Sequence, residues 1–406
     1  MRGNFTYLKT CLACGSSQLK RYLDLGWQPL ANDFSSNAEE MEEFPLEINL
    51  CKECYHSQLV ASVSPSRLFS HYVYISGTTK TLKDYFVWLN EKIRLAYKPG
   101  ARILDLASND GSFLEISQKI GFKILGVDPA SNLIGLAAEK QVPTICDYWP
   151  SRNLDCFEST FDVIVAMNVL AHVPNPLEFL ESARKSLKKN GRIYIQTSQA
   201  KMFTNGEFDT VYHEHLSFFT ARSMKTLAKR AGLDILEGEY VPVHGISYLW
   251  TLVPSSSAKS SNEDSTIESL EAKEGLYDEN TFVRFASSAQ KIARDAFAKV
   301  EELRALGFQI WGYGAAAKGN TFINFSGIKL DGIIDDNPLK QGLISPGGKT
   351  LVHSIEKVAE LEGKVLFIIP AWNFADEIID RLRASITVKN VLALTYFPEM
   401  FVRSIT

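Results

Sequence analysis

The best chemical equipment in this 406-residue chain is two pairs of cysteines and one short run of histidines. Cys11-Leu-Ala-Cys14 and Cys51-Lys-Glu-Cys54 repeat the same two-residue spacing. A tight turn at that spacing points both sulfurs one way. Two such turns offer four thiolates to one tetrahedral ion, a closed set that suits structural rather than catalytic zinc. The 36 residues between Cys14 and Cys51 exceed common ribbon spacing and must form a small subdomain. Cys146 and Cys156 stand apart and read as ordinary buried thiols. The second concentration is Tyr212-His213-Glu214-His215. An imidazole titrates near neutrality, and an adjacent carboxylate can orient it and raise its basicity, so a proton-transfer role is economical. A metal pair at H-x-H is weaker, because no H-E-x-x-H is present: Ser217 stands three beyond Glu214. Both histidines could also be structural, under a loop.

These groups need a scaffold, and two α/β patterns supply it. Ile103–Leu106 reads as a buried strand, followed by a small-residue turn and a helix start; a second strand, 123–127, ends in Asp128-Pro129. A strand-ending carboxylate there accepts bonds from ribose hydroxyls. The turn is not G-x-G-x-x-G: Ala107 and Asn109 hold the first two glycine places, and Gly111 is its only glycine. That is poor for a pyrophosphate. It suits the class I methyltransferase pattern of Asp105 followed by small residues at every second place, whose cofactor, S-adenosylmethionine, carries no phosphate. A further strand, 161–167, leads into Asn168 and His172, and strand 191–197 precedes the histidine segment. Ligands of open α/β sheets bind at the carboxyl ends of strands, which favours these positions for chemistry. After a Ser-rich linker at 254–264 and a helix over 282–306, Gly312-Tyr313-Gly314 and Lys318 begin a second unit whose next strand ends in Asp335-Asp336. Its G-x-G and lysine suit a phosphate-bearing ligand. The expected fold is α/β, with a zinc-binding domain over 1–65, a doubly wound methyltransferase domain over 66–253 and a Rossmann-like domain over 254–406.

Composition narrows the partners. Apolar residues make 45% of the chain and charged residues 22%, which excludes wholesale disorder. With 43 basic against 47 acidic residues the net charge is −4, which argues against nucleic-acid backbone binding. No apolar run approaches membrane-span length, and the start shows no secretory h-region, so a cytoplasmic protein is expected.

The order of motifs closely resembles the C-methyltransferase family that modifies nucleotide-linked deoxysugars. The resemblance is carried by Phe44-Pro-Leu, Ser108-Asn109-Asp110-Gly111, Asn168-Val-Leu-Ala-His172, Tyr212-His-Glu-His-Leu216, Gly312-Tyr-Gly314 with Ala317-Lys-Gly-Asn320, and Ala371-Trp-Asn-Phe-Ala-Asp376. It implies methylation at C3 of a 4-keto-6-deoxy sugar linked to thymidine or guanosine diphosphate. A monomer is expected. The resemblance assigns the base to His215, supported by Tyr72 or Tyr74, His172, Tyr212 and Glu214. The cofactor set is then Asp105, Ser108, Asn109, Asp110, Gly111, Asp128, Pro129 and Asn168. The nucleotide-sugar set is Ser76, His213, His244, Ser247, Gly312, Tyr313, Gly314, Lys318, Asn320, Asp335, Lys340, Trp372 and Asn373. One departure stands out: where the family often shows His-Gly-Gly-Ser-Leu-Arg, this chain has His244-Gly-Ile-Ser-Tyr-Leu249. Competing readings are a zinc-ribbon RNA methyltransferase, a nucleotide-sugar oxidoreductase and a nucleotide-sugar binding protein.

Overall fold

The computed structural model describes residues 4–37, 41–69, 77, 79–151, 157–257 and 265–405. Tyr72, Tyr74, Ser76, Cys156 and most of the Ser-rich linker lie outside that set.

The N-terminal region holds a two-stranded pair, β1 (Phe5–Tyr7) with β5 (Ala61–Val63), and an antiparallel sheet of β2 (Leu19–Pro29), β3 (Glu43–Cys51) and β4 (Ser57–Leu59). On β3 the side chains of Leu46, Ile48 and Leu50 are buried while Glu47 and Asn49 are not, the period of two that a half-buried strand requires. The fourth strand of that sheet comes from far along the chain: β11 (Ser217–Phe218) pairs with β4, Ser217 opposite Gln58.

The four cysteines sit on two turns that face each other. Cys11 and Cys54 sulfurs are 3.6 Å apart, Cys14 and Cys51 sulfurs 3.5 Å, and all four lie within 4.8 Å of one another. These distances are far too long for disulfides. They match the separation of about 3.8 Å that Zn–S bonds of about 2.3 Å impose on a tetrahedron. Each turn ends in a residue of positive φ just after its second cysteine, Gly15 at 82° and Tyr55 at 56°. The first is free for glycine; the second costs strain that the metal set can hold in place.

The middle sheet contains β6 (Arg102–Leu106), β7 (Lys123–Val127), β8 (Thr144–Ile145), β9 (Phe161–Met167), β10 (Leu187–Thr197), β12 (Leu233–Val241) and β13 (Ser247–Pro254), in the order β12-β13-β10-β9-β6-β7-β8. β6 through β10 are parallel, and β13 returns antiparallel between β10 and β12. The order reverses direction between β6 and β9, which opens the crevice where doubly wound sheets take ligands. Cys146, expected to be buried, is exposed, since the two-residue β8 is an edge strand and the chain leaves it at once.

The last sheet repeats the plan with β14 (Phe308–Tyr313), β15 (Gly332–Ile334), β16 (Val352–His353), β17 (Lys364–Ile368), β18 (Asn390–Thr395) and β19 (Phe401–Ser404), in the order β16-β15-β14-β17-β18-β19. Only β19 is antiparallel. The helix before it runs Glu279–Ala305 and is capped by the Asp278 carboxylate, which accepts from the Asn280 amide. No helix among the described residues is long and apolar enough to cross a membrane.

One hydrophobic core joins all three parts. Leu23 and Ile48 from the N-terminal sheet, Met202, Phe208, Val211 and Phe218 from the segment after β10, and Phe282, Phe322 and Tyr396 from the C-terminal region pack in one cluster. Each fully buried side chain of that size contributes about 1.5–3 kcal/mol, so the segment 202–218 is fastened from both sides. Its position decides where the histidines go.

Because the N-terminal sheet is small, its order should depend on the metal. Protein purified without chelator is expected to carry about one zinc per chain by elemental analysis, and chelation should lower its melting temperature. A metal content far below that value would contradict a zinc centre.

Candidate active site

The carboxyl end of β6 turns sharply. Ala107, Asn109 and Gly111 take positive φ at every second position, with values of 61°, 52° and 73°. Asp128, at the end of β7, closes that turn: its Oδ2 accepts from the Asn109 amide at 2.8 Å and its Oδ1 from the Ala130 amide at 2.9 Å. Burial raises its pKa, opposed by those two amides. Asp105 is buried more deeply. Burial, together with the charges of Asp128 and Asp110, holds its carboxyl well above the usual range. Asp110 is taken up by an ion pair with Lys140, and also accepts from the Ser112 hydroxyl at 2.7 Å.

The strand ends around this turn carry polar atoms with no protein partner. Asp105 Oδ1, Ser108 Oγ, Asn168 Oδ1, Gln196 Oε1 and Gln199 Oε1 are all buried without one. Buried polar groups are normally bonded, so a concentration of orphans along β6, β9 and β10 marks the place of a polar ligand. That fits the adenosyl and methionyl groups of S-adenosylmethionine.

The histidines gather beside it. His215 is buried, and its Nδ1 lies 2.8 Å from the Thr210 carbonyl. A carbonyl only accepts, so Nδ1 carries the proton and Nε2 keeps the lone pair. Burial holds the imidazole well below the usual histidine range, helped by His172 and Lys318 and opposed by the Thr210 bond. It is therefore neutral around pH 7. His172, on the turn after β9, has Nδ1 2.6 Å from the Glu214 carbonyl and its ring centroid 5.0 Å from that of His215. The Tyr212 ring lies 4.0 Å away, and the Gln199 amide nitrogen sits across the imidazole, 2.7 and 3.2 Å from its two nitrogens.

The second α/β unit reuses the device seen at Asp128. Asp335, at the end of β15, accepts from the Ala315 amide at 2.7 Å and so closes the turn after β14. Gly314 takes φ 100° there. Gly319 lets the following helix approach the loop after β17: a Cβ would lie 2.7 Å from Pro370 Cβ. From the start of that helix Lys318 reaches over the Trp372 ring at 5.5 Å and lies 3.9 Å from Glu207 of the middle segment.

Several expected site residues have other work in the structure. Glu214 sits next to His215 in the chain, but its carboxylate accepts from Asn32 at 2.6 Å, and it is the Thr210 carbonyl that orients His215. His213 turns to the N-terminal sheet, 3.3 Å from the Phe44 carbonyl, and burial pushes it down to about 4. Ser247 donates to the Val243 carbonyl inside the sheet, and Asn320 ties Ala31 to Ser345. Tyr313 donates to Asp336, while Lys340 donates to the Ala315 carbonyl. His244 is exposed, with φ 51°. At the family's arginine place Leu249 is buried in the core. Nothing is described of the Asn373 side chain. Gln199, Asp209, Thr210 and Tyr396 were not expected. The carboxyl-end rule pointed to the loop after β10 that holds the first three, but burial within it could not be read from residue types.

Asp128→Ala would leave two buried amides unbonded, at about 1–3 kcal/mol each, and loosen the turn. Titration calorimetry should then show S-adenosylmethionine binding weakened by about tenfold or more. Unchanged affinity would move the cofactor away from this turn.

Comparison with known proteins agrees with this layout. Residues 84–237 match the family model of a methyltransferase domain, residues 242–395 that of a C-methyltransferase C-terminal domain, and residues 11–69 that of a zinc binding domain. The chain is 28% identical over 386 residues to C-methyltransferase NovU of Streptomyces niveus, covering 91% of both proteins. A ubiquinone biosynthesis O-methyltransferase of Cereibacter sphaeroides is 28% identical over 169 residues, 38% of this chain and 68% of that one. Among solved structures, magnesium protoporphyrin IX methyltransferase of Synechocystis aligns over 45% of this chain and 86% of its own, at 12% identity and a TM-score of 0.35. With three domain models matched in order and one relative aligned along nearly its whole length, the chain belongs to the S-adenosylmethionine-dependent C-methyltransferases and is related to NovU.

Proposed function

We propose that this enzyme methylates C3 of a nucleoside-diphosphate-linked 4-keto-6-deoxy sugar, with His215 removing the C3 proton. The observation that carries the reading is the tautomer of His215. A neutral imidazole with Nδ1–H given to Thr210 keeps its lone pair on Nε2, where the Gln199 amide, 3.2 Å away, is its protein donor until substrate displaces it. A C–H next to a ketone is acidic enough for such a base, and an isolated sugar C–H is not.

The other residues have complementary parts. His172 spends its Nδ1–H on the Glu214 carbonyl, so that proton does not serve an enolate oxygen. Donors for that oxygen are then the Tyr212 hydroxyl and the Gln199 amide, both against His215. Bound S-adenosylmethionine supplies a methyl group on a sulfonium that leaves as a neutral thioether. Asp128 is suited to its ribose hydroxyls, since each carboxylate oxygen keeps a second acceptor site after its backbone bond. Lys318, at the G-x-G turn of the second unit, supplies a cation for the diphosphate. The buried Leu249 removes a charge that relatives often offer, which bears on which nucleotide and sugar are accepted.

A general base contributes about 10²–10⁴-fold, so His215→Asn should lose that much in kcat while still binding cofactor and nucleotide. With S-adenosylhomocysteine and the keto sugar in deuterated water, the wild-type enzyme should exchange the C3 hydrogen without turnover, and the variant should not. Full activity in His215→Asn would transfer the role to another group.

A further inference from the structure

We propose that Asp209 is a positioning residue through which the C-terminal domain orients the base: Tyr396 and Trp372 grip its carboxylate, and the next carbonyl in the chain, that of Thr210, fixes the tautomer of His215. The inference rests on His215 being the base and assigns the C-terminal domain a second task besides holding substrate.

Phe208 and Asp209 of the turn Phe208–Thr210, and Val211 just after it, are held by the C-terminal domain. Phe208 packs against Phe325 and Phe322, with ring centroids 5.8 and 6.4 Å apart. The Tyr396 hydroxyl donates to Asp209 Oδ2 at 2.7 Å, and Trp372 Nε1 donates to the same oxygen at 3.2 Å. Thr321 Oγ1 donates to the Val211 carbonyl at 3.1 Å. On the other side, Thr210 turns its carbonyl to His215 Nδ1 at 2.8 Å. One short turn therefore carries the contact between domains and the hydrogen bond that prepares the base.

Asp209 is a costly residue for a mere spacer. It is 1% exposed, both donors fall on one oxygen, and Oδ1 is buried with no hydrogen-bond partner. A buried carboxyl served on one side only is unfavourable: burial raises its pKa, opposed by Lys318, Tyr396 and Trp372. Lys318 is at hand: it lies over Trp372 and near Glu207, at the entrance of the same turn. A diphosphate arriving at Lys318 thus meets the residues that hold Asp209.

The test uses the full-length zinc-loaded protein with S-adenosylhomocysteine and ring-¹⁵N histidine, His215 signals being assigned by their loss in His215→Asn. Wild type should show His215 fixed as the Nδ1–H tautomer. Tyr396→Phe keeps the ring stacked 3.6 Å from Phe322 and removes only the hydroxyl; Asp209→Asn keeps the shape and removes the charge. Each should shift His215 toward a mixture of tautomers. Each should also lower kcat by about 2- to 30-fold, the range of couplings of about 0.5–2 kcal/mol, with KM for the keto sugar and S-adenosylhomocysteine affinity nearly constant. An unchanged His215 signal in both variants overturns the proposal, even if their melting temperatures fall. Activity retained in His215→Asn would instead overturn the base assignment, and the tautomer response would still report whether Asp209 orients that ring.

Discussion

A buried imidazole beside a second histidine resists taking up a proton, and it acts as a base only if its one proton stays on the nitrogen away from the substrate. The hydrogen bond from His215 Nδ1 to the Thr210 carbonyl imposes that condition here. Much of the architecture is arranged around it. Thr210 lies on a turn wedged into the core shared by all three parts of the chain, and the adjoining strand β11 completes the N-terminal sheet. The four-cysteine knuckles, the methyltransferase sheet and the C-terminal sheet thus share one junction, and that junction is where the histidines lie.

The two α/β units reach it by the same local solution. Asp128 and Asp335 each end the second strand of their unit and each hold a backbone amide of the turn after the first strand. This leaves the carboxyl edge of each sheet open at the point where strand order reverses. The chemistry offered at the two edges differs. Orphaned neutral and acidic groups face the first, whereas Lys318 stands at the second.

Elements whose signal is local could be read from the sequence alone. The cysteine spacing indicates the metal set without knowledge of the fold, because two residues between thiolates define a chelating turn. Small residues at 107, 109 and 111 foretell a tight turn, and all three take positive φ. What could not be read depends on contacts between distant residues. Asp209 meets Tyr396 187 positions away, and Asn320 meets Ala31 across 289. His213 and His215 look equivalent in the chain, yet one faces Phe44 and the other Thr210, so only one stands beside His172. Glu214 was expected to orient His215 because it is its neighbour; Asn32 takes its carboxylate instead.

The most direct test of the central claim is a crystal structure with S-adenosylhomocysteine and a nucleoside-diphosphate-linked 4-keto-6-deoxy sugar bound. His215 Nε2 should lie about 3–3.5 Å from C3 on the face opposite the thioether sulfur, with Nδ1 still on the Thr210 carbonyl. A sugar whose C3 faces another side chain, with His215 Nε2 turned away from it, would contradict the account.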